Sequence, residues 1–367
     1  MPGVNEAALD AASESEGTLD LNHPDKPVAP LISVLMPVRN GMGYIGEAID
    51  SIVDQTLIDW ELVITDNAST DGTDAYVRRR AAEDPRIIFN RNDEDLGVAG
   101  NLNAGLALCR GEWLARMDAD DRAMPNRLER QLAFMLQNRD VAVVSCLAYY
   151  INAAGERMAR TSHDLTTREA FWGYMQRNEV IGVLHPGAFM RREVLNRAGG
   201  YRSQFETAED IDLWNRLAET GPILVQTEYL MEYRVHGGSQ VARFFDTAHQ
   251  KHLWAEECML ARRAGNSEPT WEQFLWRQRS RPLNERLTHS RIALGRRLYR
   301  EAGECKINGR VISAALRFAG AVALRPAYST GRMRSQLLHK GDEGDAAMDG
   351  RLNKAAASRE AGKTLGA

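Results

Sequence analysis

Asp118, Asp120 and Asp121 place three carboxylates within four positions, directly after the run Trp113-Leu114-Ala115-Arg116-Met117. Carboxylates that close repel one another unless a cation sits among them. Hard oxygen donors at a strand end suit Mg2+ or Mn2+, and those ions bind phosphates. Two bland readings compete: a solvated acidic turn, and an N-terminal cap for a helix beginning near Pro125. The position of the cluster decides between them, so the elements around it matter.

Ile32-Ser33-Val34-Leu35-Met36 is a buried-strand pattern that Pro37 is expected to end, since proline cannot donate to a sheet ladder. Ile45, Ile49, Ile52 and Val53 form a helical stripe. Glu61–Thr65 reads as a second strand closing on the turn cluster Asp66-Asn67-Ala68-Ser69-Thr70-Asp71-Gly72. A polar helix is expected from Thr73 to Glu83, a strand over Ile87–Asn90, a helix over Val98–Leu108 and a strand over Trp113–Met117. Pro125 sits where a helix favours its first residue, ahead of the stripe Leu128, Leu132, Met135 and Leu136. Val141–Ile151 is a further strand.

Strands alternating with helices predict an α/β domain with a mostly parallel sheet. In such sheets ligands sit outside the carboxyl ends of the strands. Three polar clusters fall there: Arg39-Asn40, Asp66-Asn67 and Asp118-Ala119-Asp120. Further on, Ala154-Gly155 reads as a hairpin turn and Gly199-Gly200 as a helix stop. From Phe244 the chain reads as helical, with Thr288–Glu301 and Asn308–Leu324 an antiparallel pair joined near Gly303.

The length of 367 residues allows two domains, or one large domain with an appendage. A formal net charge of −4 argues against general nucleic-acid binding. Cys109, Cys146, Cys258 and Cys305 are scattered without C-x-x-C spacing, which predicts reduced thiols in a reducing compartment. The best apolar runs, Val141–Ile151 and Val311–Leu324, are shorter than the roughly 18 residues of a membrane span. No basic stretch followed by an apolar one marks the start as a secretory signal.

Gly41-Met42-Gly43-Tyr44-Ile45-Gly46 is a literal G-x-G-x-x-G, and Asp66 follows 20 residues after its last glycine. That is the outline of an NAD(P)-dependent dehydrogenase. Pro37-Val38-Arg39-Asn40, however, separate the strand from the first glycine, which should end it directly. The reading also leaves Asp118 and Asp120 without a role.

Ile32–Asn40 (ISVLMPVRN), Ser51–Thr56 (SIVDQT), Glu61–Thr73 (ELVITDNASTDGT) and Met117–Leu128 (MDADDRAMPNRL) resemble the family 2 glycosyltransferases of GT-A fold. His185–Met190 (HPGAFM), Gly199–Tyr201 (GGY), Glu209–Leu217 (EDIDLWNRL) and Tyr233–His236 (YRVH) continue the resemblance in order. It implies an enzyme that moves a sugar from a nucleotide-diphosphate donor to an acceptor hydroxyl, carbohydrate or lipid-linked, inverting the anomeric centre. The resemblance covers about residues 31–240, which sets a GT-A domain at 30–240 ahead of a helical extension 241–340. Composition, acidic, small and Pro-rich over 1–29 and rich in Gly, Ala, Asp and Lys over 341–367, predicts a disordered segment and a loose tail at the two ends. Residues 30–150 would bind the nucleotide and 151–240 the acceptor. Cytoplasmic placement is expected, with a peripheral seat at the inner membrane face as an option.

The same resemblance distributes the roles. Pro37, Val38, Arg39 and Asn40 would line the nucleotide, Asp66 and Asn67 would face base and ribose, and Gly97 and Asn101 would complete the donor pocket. Asp120 would bind the metal, supported by Asp118, and His236 would approach the metal or the diphosphate. Asp210 would be the general base, with Glu209 orienting the acceptor, because the attacking hydroxyl must lose its proton. Arg234 would contact the diphosphate. Many members carry an aspartate where Asn67 stands; Asn67 offers uracil only a neutral carbonyl, so UDP does not follow as the donor nucleotide.

Structural competitors remain. Thr207-Ala208-Glu209-Asp210 is also a capping box, and a helix N-terminus would favour an ionised Asp210 in either role. Asp121 reads as a cap or a supporting group, His185 as structural or acceptor-lining, and Trp214 as core rather than a sugar-stacking ring. The arginines between Arg277 and Arg300 alternate with Leu283, Leu287, Leu294 and Leu298, which reads as a solvated face; the alternative is a surface for anionic lipid. Two rival functions use the same carboxylates: a sugar-phosphate nucleotidyltransferase, and a nucleotide-sugar-binding module without turnover.

Overall fold

Residues 29–236 and 245–326 are described by the structure, a computed structural model. Residues 1–28, Gly237-Gly238, Phe244 and the expected tail 341–367 lie outside them. Strand β1 (Ile32–Val38) is buried along almost its whole length, as a central parallel strand covered on both faces must be. It is followed by α1 (Ile45–Val53), β2 (Trp60–Asn67), α2 (Thr73–Glu83), β3 (Ile87–Asn92), α3 (Gly97–Leu106) and β4 (Trp113–Arg116). Next come β5 (Arg122–Ala123), α4 (Arg127–Gln137), β6 (Val143–Ile151), β7 (Arg157–Arg160), α5 (Arg168–Gln176), β8 (Phe189–Arg191), α6 (Arg192–Arg197), α7 (Glu209–Leu217) and β9 (Ile223–Arg234). Helices α8 (Phe245–Arg263), α9 (Trp271–Ser280), α10 (Leu283–Ile307) and α11 (Val311–Leu324) follow.

The strands form one sheet in the order β3-β2-β1-β4-β8-β6-β9-β5, with β7 paired to β6. Pairings β1–β2, β1–β4, β2–β3 and β6–β9 are parallel, while β8 runs antiparallel to both its neighbours. The expected α/β architecture is therefore present, and the antiparallel β8 beside β4 breaks the doubly wound pattern a dehydrogenase would continue.

Pro37 does not end β1; the strand continues to Val38, which pairs with Asp66. The carbonyl of Leu35 faces β4 and accepts from the Met117 amide at 3.0 Å. Pro37, two residues on, turns its nitrogen to the same side, where β4 has already stopped, so no ladder bond is lost. Pro125 is not the first residue of α4, which begins at Arg127. Gln55 sets that start: its Oε1 accepts from Leu128 N at 3.0 Å and its Nε2 donates to Met124 O at 2.8 Å. Leu136 is exposed rather than part of the buried stripe. Gly303 lies inside α10, and the turn to α11 is Asn308-Gly309-Arg310, where Gly309 has φ +72°.

One core runs along both faces of the sheet. A second cluster, with Phe205 stacked on Trp254 at 4.2 Å, joins α8 and α9 to the segment before α7. A third packs Ile307 of α10 against Tyr150, Ala159 and Val235. The four cysteines are buried free thiols. Among the described residues no helix is long and apolar enough to cross a membrane.

Candidate active site

Parallel register sets Val38 beside Asp66 and Asp66 beside Arg91, so the ends of β1, β2 and β3 share one edge. Beside them, β4 stops where α4 intervenes. The fully buried guanidinium of Arg127 donates to the Arg116 carbonyl at 2.7 Å, consuming the strand's last acceptor. The acidic run begins two residues later.

Asp118, Asp120 and Asp121 each offer a carboxylate oxygen within 4.8 Å of the others. Arg116 Nη1, buried in the strand end, lies 2.6 Å from Asp118 Oδ1. Burial raises the Asp118 carboxyl above its usual range against the pull of Arg116. Burial, then the charges of Asp120 and Asp118, push Asp121 well above that range. Three anions this close are mutually destabilising, and Asp121 Oδ2 is buried with no hydrogen-bond partner among the described residues. Hard oxygen donors in this arrangement fit a divalent cation. Asp120 does not cap α4: the residue ahead of that helix is Asn126, whose side chain makes no capping hydrogen bond.

Strand β9 closes the cluster. Arg234 N donates to Asp121 Oδ1 at 2.8 Å, and Arg234 Nε donates to the Asp120 carbonyl at 2.7 Å. The rest of that guanidinium reaches the carbonyls of Asn152 and Ala153 and, at 2.7 Å, Glu47 Oε2. It is 3% exposed and lies over the Tyr44 ring. Arg234, expected to contact the diphosphate, spends its guanidinium on protein acceptors around the cluster. His236 Nε2 stands 2.9 Å from Asp120 Oδ2.

The second acidic pair opens α7. Its N-cap is Ala208 and no side chain caps it, so the capping box does not form. Thr207 takes φ +73°, a left-handed conformation that costs about 1–3 kcal/mol for a branched residue, and its buried hydroxyl has no hydrogen-bond partner among the described residues. Asp210 is half-buried, and its Oδ1 accepts from Ile211 N at 2.7 Å. Burial first, then the Asp210 charge, lifts Glu209 to about 8, so Glu209 holds a proton at neutral pH. Burial raises the Tyr201 phenol above its usual range; Arg116 opposes this, and the charges of Glu209, Asp210 and Asp118 add to it. Its hydroxyl meets His185 Nε2 at 2.9 Å, and burial, with Arg116 nearby, keeps that imidazole neutral. Trp214 is fully buried against His185 and is core, not a sugar platform.

The donor-side residues divide. Arg39 and Asn40 are exposed at the tip of β1, beyond Pro37 and Val38. Asn40 N donates to Ser69 Oγ at 2.8 Å, and Asn40 Oδ1 accepts from Thr70 N at 2.9 Å. Asp66 is fully buried and holds Ser69 and Arg91 instead of facing a ligand. Asn67 Oδ1 already accepts from Leu96 N at 2.9 Å, and its amide donates to Asp95. Asn101 is a buried strut, donating to Thr65 O at 2.9 Å and accepting from Asn92 at 2.8 Å. Gly97 has φ +69°, and a Cβ there would collide with the Glu206 carboxylate. The Gly41–Gly46 fingerprint forms no phosphate cradle, since the amides of Gly41 and Met42 donate to Thr73 Oγ1 and Asp71 Oδ2.

Arg116, Glu47, Tyr44 and Asp95 were not singled out from the sequence. A charged residue inside the strand run was the available signal for Arg116. Asp95, paired with Arg39, lies in an acidic loop that reads as solvated.

A mixed, mostly parallel sheet with helices packed on it and an acidic cluster at the end of its fourth strand is the architecture of the GT-A fold. The first 349 residues of S. aureus TarS, solved in complex with UDP, share this fold with a TM-score of 0.50 at 17% identity, covering 82% of this chain and 91% of that one. The family profile Glycosyl transferase family 2 matches residues 33–199. WbnJ of Escherichia coli, named an O-antigen biosynthesis glycosyltransferase, is 31% identical over 58% of this chain and 82% of its own length. EpsE of Bacillus subtilis is 35% identical over 52% of this chain and 68% of its own length. The chain belongs to glycosyl transferase family 2 and is a glycosyltransferase.

Proposed function

We propose that this glycosyltransferase moves a sugar from a nucleotide-diphosphate donor to a carbohydrate or lipid-linked acceptor hydroxyl, with inversion, using Mg2+ or Mn2+ held by Asp118 and Asp120 with His236 beside them. The observation that carries the reading is the three-carboxylate cluster, closed by His236 and Arg234 at the carboxyl end of β4. The UDP complex of the TarS fold-mate supports the donor class, and the name of WbnJ supports polysaccharide or glycoconjugate synthesis as the setting.

Asp210 takes the proton of the acceptor hydroxyl as its oxygen attacks the anomeric carbon. The bond from that carbon to the diphosphate oxygen breaks, and its electron pair leaves with the diphosphate. Attack and departure on opposite faces invert the centre. A divalent cation at the cluster would neutralise the charge gathering on the diphosphate without a proton. Arg234 fixes the Asp120 main chain, and protonated Glu209 adds a hydrogen-bond donor beside the base.

Incubation with nucleotide sugars and Mn2+, without acceptor, is expected to release nucleoside diphosphate slowly. Pyrophosphate release from a nucleoside triphosphate and a sugar phosphate would overturn the reading in favour of a nucleotidyltransferase. Asp210→Asn is expected to bind donor and lose transfer; unchanged transfer would falsify the base assignment.

A further inference from the structure

Helix α11 turns an apolar face outward. Val311, Ile312 and Leu316 are 69%, 80% and 70% exposed. Ala315, Ala319 and Ala323 share that exposed side, so the positions recur at i, i+1, i+4, i+5, i+8 and i+12 as one stripe without a charge. The opposite side of α11 is occupied by α10. Phe318 packs on Tyr299, Arg317 Nε meets Glu301 Oε2 at 3.0 Å, and Gly320 faces Leu298. A contiguous apolar strip of this kind marks an interaction surface.

Charge indicates what covers it. Residues 277–325 carry twelve arginines and lysines against three carboxylates, in a chain of formal net charge −4. Lys306, in the last turn of α10, and Arg310, directly before Val311, are both exposed. A hydrocarbon-seeking stripe edged with cations matches an anionic lipid surface, acyl chains taking the stripe and headgroups the cations. A second copy fits poorly, because it would bring two strongly basic helical pairs together. The 14 residues of α11 span about 21 Å, short of the roughly 30 Å hydrocarbon core, so the helix lies in the interface plane.

The turn before α11 is tied to the active site. Ile307 packs with Tyr150, Ala159 and Val235, and Asn308 Nδ2 donates to the Val235 carbonyl at 3.4 Å, one residue before His236. We propose that the outer face of α11, with Lys306 and Arg310, seats this protein on an anionic bilayer and brings the end of β9 to the lipid surface. The proposal stands on charge and exposure and does not depend on the chemistry assigned above.

Cosedimentation of the full chain with vesicles tests it, using phosphatidylcholine alone and phosphatidylcholine mixed with phosphatidylglycerol. Binding is expected only to the anionic vesicles and is expected to weaken in high salt. Ile312→Glu with Leu316→Glu, and separately Lys306→Glu with Arg310→Glu, are each expected to lower partitioning at least about tenfold. Circular dichroism and nucleoside-diphosphate binding are expected to be unchanged in both. Failure of the wild-type chain to bind anionic vesicles overturns the proposal, as does partitioning by both variants equal to that of the wild-type chain. Sedimentation equilibrium showing a dimer that Ile312→Glu with Leu316→Glu dissolves also overturns it, assigning the face to a second copy.

Discussion

Nε2 of His236 lies 2.9 Å from Oδ2 of Asp120, although 116 positions separate them. The short pairing of β5 with β9 makes this possible, because Arg122 opposes Glu232 immediately after the acidic run. Tyr44 completes the junction, 5.0 Å from the imidazole and under the Arg234 guanidinium. Three distant segments therefore converge on the one carboxylate that the proposed chemistry needs most.

Asp120→Asn separates the two consequences of that carboxylate. It removes one of three repelling charges, so the chelator-treated variant is expected to melt no lower than the chelator-treated parent. The further rise in melting temperature that Mn2+ gives with a nucleoside diphosphate is expected to vanish. His236→Ala is expected to keep that rise with about tenfold weaker metal affinity. Thermal shift with and without chelator reads both; a full manganese response from Asp120→Asn would remove Asp120 from the metal site.

Arg234→Lys keeps the charge and loses the planar fork. One ammonium cannot serve the carbonyls of Asp120, Asn152 and Ala153 together with Glu47. A stability loss of about 2 kcal/mol is expected, as for a broken buried charged hydrogen-bond set. Titration calorimetry is expected to show weaker Mn2+ binding, since the Asp120 backbone is no longer held. Unchanged metal affinity with lowered stability would confine Arg234 to folding.

The contrast between these residues explains what was legible in the sequence. The grouping of Asp118, Asp120 and Asp121 is local, so reading along one strand finds it. The bounds of α2, Thr73 to Glu83, are likewise local, and the structure reproduces them. Arg127 and Arg234 are different. Their main-chain and carboxylate partners lie 11 to 187 positions away, and nothing in a run of neighbours names a carbonyl across the sheet. Asp66 and Asn67 at the end of β2, and Asn101 inside α3, show the converse: the sequence offers them to a donor pocket, yet the fold commits them to protein hydrogen bonds that only the folded turn reveals.

Asn101→Ala tests that last distinction. The change leaves the Thr65 carbonyl and the Asn92 amide without their buried partner, at an expected cost of about 2 kcal/mol in urea unfolding. Nucleoside-diphosphate affinity is expected to change little, because the amide faces the protein. A large loss of affinity at unchanged stability would return Asn101 to the donor pocket.

Glu209 supplies a pH signature. Burial, with the Asp210 charge behind it, raises its carboxyl from 4.5 to about 8, so the folded protein keeps a proton that the unfolded chain releases. The stability linked to this proton is complete below the unfolded value and is lost as pH rises through about 8. Glu209→Gln, neutral at every pH, removes the dependence. Its melting temperature relative to the parent is therefore expected to climb from about pH 5 to about pH 9. A difference that stays flat across that range would mean the carboxyl ionises in the fold as it does in water, and the protonated donor beside Asp210 would have to be abandoned.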